Sequence, residues 1–319
     1  MILVTGATGF VGKAVVRRLL AEDASRRVVV ALRRDNQQWP ERVLPRVTGD
    51  LEPSTEWSVA LEGVSAVVHC AARVHVMADT AANPLDEFRR VNVQGTLNLA
   101  RQAAAAGVRR FVFVSSIKVN GEATQLGRSF TADDAPAPLD AYGVSKMEAE
   151  QGLHEITSQT GMEVVIIRPP LVYGPGVKAN FAAMMRWLAR GVPLPLGAVH
   201  NQRSLVALDN LVDLIVTCLT HPAAANQTFL VSDGEDVSTT ELLRRMGQAM
   251  GCPARLIPAP VSWLKLAAAL VGKQDVAQRL CGSLQVDIEK TRRLLDWTPL
   301  SLDEGLRKAA KGCGREAGL

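Results

Sequence analysis

The chain of 319 residues lacks a cysteine framework: Cys70, Cys218, Cys252, Cys281 and Cys313 are odd in number and scattered. No Cys-x-x-Cys and no His-Glu-x-x-His occurs, so neither a disulfide scaffold nor a metal site is readable, and reduced thiols are expected. Strong charge is missing as well. Lys and Arg total 36 against 32 Asp and Glu, a formal charge of +4. That balance is no nucleic-acid footprint, though it suits a small anionic ligand. No apolar run reaches the roughly 20 residues of a membrane span. No basic leader precedes the first apolar stretch, so no signal peptide is read and a cytoplasmic location is expected. Internal repeats and low-complexity segments are absent. What is present is an ordinary globular composition, 47% hydrophobic and 21% charged, at a length suited to about two domains.

Along the chain, apolar strands alternate with helical stretches. A strand over 1–5 leads into Gly6-Ala7-Thr8-Gly9-Phe10-Val11-Gly12, a helix over 13–20 and a second strand over 27–32. Gly6 permits a tight turn, Gly9 lets a pyrophosphate approach the N–H groups of the helix N-terminus, and Gly12 permits close helix–strand packing. A weak strand at 46–48 follows, then a short helix to Leu61 capped by Ser54, and a strand over 64–69. Asn83-Pro84 starts a helix that ends before Gly107, and strands follow at 110–114 and 163–168. Residues 121–140 read as a surface loop. Strands at 204–208 and 228–231 are expected to return to the sheet, and the chain from 233 onward is mainly helical. Residues 261–271, apolar with Lys265 inside, read as a core or lid helix, with a membrane-surface role as the alternative. The expectation is an α/β, doubly wound parallel sheet with a smaller, mostly helical C-terminal domain. The domains fall at 1–168 plus about 204–232, and at 169–203 plus about 233–319.

Tyr142 and Lys146, four residues apart on the helix running to about Thr160, share one helix face. A lysine ammonium beside a phenol favours the phenolate, which predicts a tyrosine pKa lowered toward neutrality, as a general acid/base requires. The spacing alone is weak evidence, and by itself it is better explained by chance on a solvated helix. Ligands of such a sheet bind at the carboxyl ends of the strands. Ser115, Ser116, Cys70 and the glycine turn all fall there.

Four signals coincide: Gly6-x-x-Gly9-x-x-Gly12, Ser115-Ser116 at a strand end, Tyr142-x-x-x-Lys146, and Arg168-Pro169-Pro170-Leu171-Val172-Tyr173-Gly174-Pro175. Together they resemble the extended short-chain dehydrogenase/reductases, the nucleotide-sugar epimerase/dehydratase group, over essentially the whole chain. The resemblance implies a Rossmann domain and a smaller domain holding a UDP-sugar, and it allows a homodimer. It makes Ser116, Tyr142 and Lys146 catalytic, Tyr142 as proton donor and acceptor. It assigns Gly6, Thr8, Gly9, Phe10, Val11, Gly12, Asp50, Leu51, Ala71, Ala72, Asn92, Ser115, Pro169 and Leu171 to the cofactor, with Tyr142 and Lys146. Ser116, Lys118, Asn120, Tyr142, Asn180 and Arg203 are assigned to the substrate, Arg203 at its diphosphate. For Asn92, a plain hydrogen bond at a helix kink is the competing explanation; for Arg203, a surface charge.

Two departures refine the expected activity. Ile117-Lys118 stand where the 4,6-dehydratases of this group carry Asp-Glu, which removes the acid and base that water elimination needs. Asn120 replaces the usual tyrosine. The stretch from Ser115 to Glu122 resembles the 4-ketoreductases that form UDP-N-acetylquinovosamine for bacterial surface polysaccharides. The second strand ends in Arg33-Arg34, with the first carboxylate at Asp35; arginines pair with a 2′-phosphate rather than a ribose diol. NADP(H) is therefore expected ahead of NAD(H), and the leading expectation is an NADP-dependent reductase of a UDP-4-keto N-acetylhexosamine. A UDP-hexose 4-epimerase with retained NAD is the alternative, and a non-catalytic nucleotide-binding scaffold the third.

Overall fold

The computed structural model describes residues 1–34, 37–74, 83–177 and 179–316, with 179, 180, 275 and 312–316 described by backbone alone. Asp35 lies outside the described residues.

The first half alternates as expected: β1 (Ile2–Thr5), α1 (Phe10–Glu22), β2 (Val28–Leu32), β3 (Val43–Val47), α2 (Ser58–Leu61) and β4 (Ala66–His69). It continues with α3 (Pro84–Phe88), a π-helical stretch (Arg89–Gly95), α4 (Thr96–Ala105), β5 (Arg110–Val114), α5 (Ala141–Thr160) and β6 (Glu163–Arg168). Then come β7 (Leu171–Tyr173), α6 (Ala179–Ala189), β8 (Arg203–Ala207), α7 (Leu208–Thr220), β9 (Thr228–Leu230) and β10 (Asp236–Val237). Five helices finish the chain: α8 (Thr239–Ala249), α9 (Val261–Leu270), α10 (Gln274–Cys281), α11 (Glu289–Leu295) and α12 (Leu302–Glu316).

Seven strands pair in parallel in the order β3-β2-β1-β4-β5-β6-β9. This is a Rossmann-type α/β fold. The strands are apolar on both faces because both faces are covered. Val4, Val28 and Val30 pack on the α1 and α7 side, while Leu3, Val29 and Phe111 pack on the α4 and α5 side with Leu99 and Leu153. The order reverses between β1 and β4, which opens a crevice at their carboxyl ends.

Three expectations need correction. β8 does not return to the main sheet. It pairs in parallel with β7 and antiparallel with β10 in a separate three-stranded sheet, and only β9 rejoins beside β6. The smaller sheet has its own core, in which Tyr173, Phe181, Leu205, Leu243 and Leu306 are buried together. The short helix begins at Ser58, so Ser54 does not cap it. Residues 121–140 are the expected surface loop, and Phe130 N donates to Gln285 O, Asp287 N to Phe130 O and Thr124 N to Ser283 O, which laces the loop to the C-terminal part. Finally, α9 buries none of its residues fully and is not a core helix.

Candidate active site

The glycine turn is built for close approach. Gly6 has φ +66°, and a Cβ there would lie 2.8 Å from Ala71 N; a Cβ on Gly12 would lie 2.2 Å from Gly6 O. Only hydrogen side chains let β1, the turn and α1 meet β4 this closely. Gly9 caps α1 from an extended conformation and has no side chain to cover the helix N–H groups. In front of them opens a cleft of about 520 Å³ walled by Gly6, Thr8, Gly9, Arg33, Asp50, Leu51, Ala71 and Ala72. Arg34 joins Thr8, Arg33, Gln37 and Asp50 around an adjoining recess. Arg33 Nη1 stands 3.9 Å from Asp50 Oδ1, and both side chains are exposed. Phe10, Val11 and Gly12 form the first turn of α1 behind the cleft rather than its wall.

The proposed catalytic side chains lie at the ends of β5 and α5. Asp140 caps α5 by accepting from Gly143 N at 2.7 Å, so the helix starts one residue before Tyr142. Ser116, extended at the end of β5, hydrogen-bonds the Tyr142 phenol and accepts from Lys118 N at 3.3 Å. The Tyr142 ring meets Phe88 edge-on, with centroids 6.1 Å apart. Burial and the Asp140 carboxylate push the phenol up to about 12, and only the Ser116 hydrogen bond works the other way. This corrects the expectation of a lowered tyrosine. Lys146 is buried, with Nζ donating to Val114 O at 2.9 Å and lying 4.3 Å from the centroid of the Phe113 ring. Burial lowers it to about 8. Its charge also reaches the end of β4, where burial first and then Lys146 hold His69 down to about 3. His69 is thus a neutral link between Thr5 Oγ1, at 2.7 Å, and Thr96 Oγ1, at 2.9 Å.

Several assigned residues serve the frame instead of the cleft. Ser115 is buried and donates to Glu150 Oε1 at 2.5 Å, while its N–H donates to Ile167 O. Glu150 pairs with Arg168, whose Nη2 lies 2.5 Å from Oε2. Asn120 is buried, accepting from Arg168 Nη1 at 3.0 Å and donating to Thr131 O at 2.9 Å, so it anchors the 121–140 segment rather than facing a sugar. Lys118 is paired with Glu122 and Asp140. Asn92 sits in the π-helical stretch, accepts from Arg73 N at 2.8 Å and donates to Arg73 O and Ser145 Oγ. It ties the segment after β4 to the Tyr142 helix. Pro169 O accepts from Ile117 N, and Leu171 is an exposed residue at the start of β7. Asn180 is in the first turn of α6, and its side chain lies outside the described residues.

Arg203 is half-buried at the start of β8. Its Nη1 donates to the carbonyls of Arg279 and Gly282, at 2.9 and 3.0 Å. Burial and the nearby Arg279 charge hold it below the ordinary arginine value. Sequence reasoning missed Arg279, Glu150 and the buried role of Arg168. A signal existed for Glu150, which stands four residues beyond Lys146 on the same helix face.

A family model described as "NAD dependent epimerase/dehydratase family" matches residues 2–232. A curated relative, "UDP-glucose 4-epimerase" of Vibrio cholerae, is 50% identical over 312 residues, covering 97% of this chain and 94% of the relative. Among solved structures, MoeE5 in complex with UDP-glucose and NAD is 26% identical with a TM-score of 0.77, covering 99% of both chains. UDP-glucuronic acid 4-epimerase from Bacillus cereus in complex with NAD superposes with a TM-score of 0.78 at 20% identity over 98% of both chains, a likeness of fold.

Proposed function

The chain belongs to the NAD dependent epimerase/dehydratase family and is an NAD(P)-dependent sugar-nucleotide enzyme; from that premise we propose that it is a UDP-hexose 4-epimerase that keeps its nicotinamide cofactor. The observation that carries this reading is the 50% identity, over nearly the full length of both chains, to a relative named as a UDP-glucose 4-epimerase. It supports the epimerase alternative better than the ketoreductase expected from the Ser115–Glu122 stretch. The cleft fits a dinucleotide: three glycines leave backbone N–H groups bare at a helix N-terminus, which favours a pyrophosphate. The residues to hold it are Gly6, Thr8, Gly9, Asp50, Leu51, Ala71 and Ala72, with Lys146 beyond them. When bound, a nicotinamide supplies hydride acceptance and return at the sugar C4, and in its oxidised form a positive charge.

The chain's own part is proton movement and placement. Tyr142 takes the proton of the C4 hydroxyl and returns it to the ketone oxygen. Ser116, hydrogen-bonded to Tyr142, holds the same oxygen. With the phenol raised to about 12, Tyr142 is a strong base once ionised. Arg203 and Arg279, two like charges at the end of α10, form an anchor for the substrate diphosphate.

One observation favours a second reading. The recess beside Arg33 and Arg34 offers guanidinium groups to a 2′-phosphate, which supports an NADPH-dependent 4-ketoreductase. The deciding experiment supplies UDP-glucose and UDP-N-acetylglucosamine with no added cofactor. The epimerase reading expects the C4 epimer to form and NAD to be released on denaturing the purified protein. No turnover, together with oxidation of NADPH on a UDP-4-keto sugar, would establish the reductase instead.

A further inference from the structure

Helix α9, Val-Ser-Trp-Leu-Lys-Leu-Ala-Ala-Ala-Leu, is apolar on both sides. Val261 and Leu264 pack against the core of the smaller domain. The opposite face carries Trp263, Leu266 and Leu270 at helical spacing, 71%, 63% and 81% exposed, and runs on into Val271 at 67%. A surface helix ordinarily turns polar residues outward. A contiguous exposed apolar stripe marks an interaction site. Charge identifies the occupant. Besides Arg279, which stands with Arg203, the chain between Arg255 and Gly282 carries Arg255, Lys265 and Lys273 against the single acid Asp275. Arg255 and Lys273 are both exposed and flank the stripe in sequence. A two-fold contact through this face with a second copy would bring these cations together. An anionic bilayer surface satisfies both parts, the aliphatic and indole groups entering the acyl boundary and the cations meeting headgroups.

We propose that the exposed face of α9 seats the protein on anionic membrane surfaces, independently of which sugar nucleotide it turns over. Among the described residues no helix is long and apolar enough to cross a membrane, so the contact is peripheral. The test is co-sedimentation of the full chain with vesicles of phosphatidylcholine alone or mixed equally with phosphatidylglycerol. The wild type is expected to pellet with the mixed vesicles, at least about tenfold more weakly with phosphatidylcholine, and to be released at high salt. Leu266→Gln with Leu270→Gln, and separately Lys273→Glu, should each cut binding about tenfold or more. These surface changes should leave the thermal midpoint in place. The proposal is overturned if the wild type stays in the supernatant with anionic vesicles, or if both variants pellet like it. It is also overturned if ultracentrifugation shows a dimer that the Leu266→Gln/Leu270→Gln variant splits, because the face would then cover a second copy.

Discussion

Breaking the Glu150–Arg168 pair should cost more stability than removing it whole. Both side chains are almost fully buried, at 5% and 6% exposure. Arg168 gives Glu150 bonds from Nη2 at 2.5 Å and from Nε at 3.1 and 3.2 Å, and Glu150 also accepts from Ser115. In Glu150→Gln the guanidinium stays charged and buried with only amide oxygens to meet it, Asn120 Oδ1 among them. In Arg168→Met the carboxylate loses its ion pair and keeps the Ser115 hydroxyl and the Lys146 charge. An uncompensated buried charge costs about 3–5 kcal/mol. At roughly 2–4 °C per kcal/mol for chains of a few hundred residues, each single variant should melt about 6–20 °C below the wild type. The double variant Glu150→Gln/Arg168→Met removes both charges of the pair and should be more stable than either single one, since replacing a buried pair is often near neutral. Urea unfolding followed by tryptophan fluorescence measures all four proteins and closes the cycle. If the double variant loses the sum of the two single losses, or if either single variant loses less than about 1 kcal/mol, the pair is not the desolvated lock described here.

Tyr142→Phe keeps the ring against Phe88 and removes the proton carrier, so turnover should fall by roughly 10²–10⁴-fold with sugar-nucleotide binding retained by calorimetry; unchanged turnover would remove Tyr142 from the chemistry. Gly12→Ala places a methyl 2.2 Å from Gly6 O, so dinucleotide retention on purification should be lost even where the protein folds; full retention would refute the close-approach argument. His69 titrates near 6.5 when unfolded but is held to about 3 when folded, so the unfolded chain binds a proton that the native one refuses. The stability this neutral histidine permits is complete above pH 6.5 and declines at roughly 1.4 kcal/mol per unit as pH falls toward 3. His69→Gln should flatten the acid limb of the stability curve by one proton, and an unaltered slope would show that His69 is protonated in the native state.

The parallel sheet is legible because its strands are covered on both faces: Val28–Leu32, Ala66–His69 and Glu163–Arg168 are near-continuous apolar runs between turn signals. The glycine turn is legible for a steric reason, since no other side chain fits at Gly6 or Gly12. Side-chain destinations are a different matter. Ser115 and Ser116 are neighbours of one type, yet a strand end sends them to opposite faces, one to Glu150 and one to Tyr142. Asn92 and Asn120 resemble site amides in sequence, but their partners, the Arg73 backbone and Arg168 with Thr131, are distant in the chain or held by irregular backbone. β8 alternates as a sheet strand should, and local pattern says nothing about which sheet receives it. Long-range contacts decide: Asp233 accepts from the Tyr173 hydroxyl, Ala207 N and Asn210 Nδ2, which draws β7, β8 and the start of α7 together away from β6. The Glu150–Arg168 lock lay nearer to reach. A carboxylate on the buried face of the Tyr142 helix and a guanidinium ending an apolar strand each need an opposite charge once buried, and that requirement alone matches them across 18 residues.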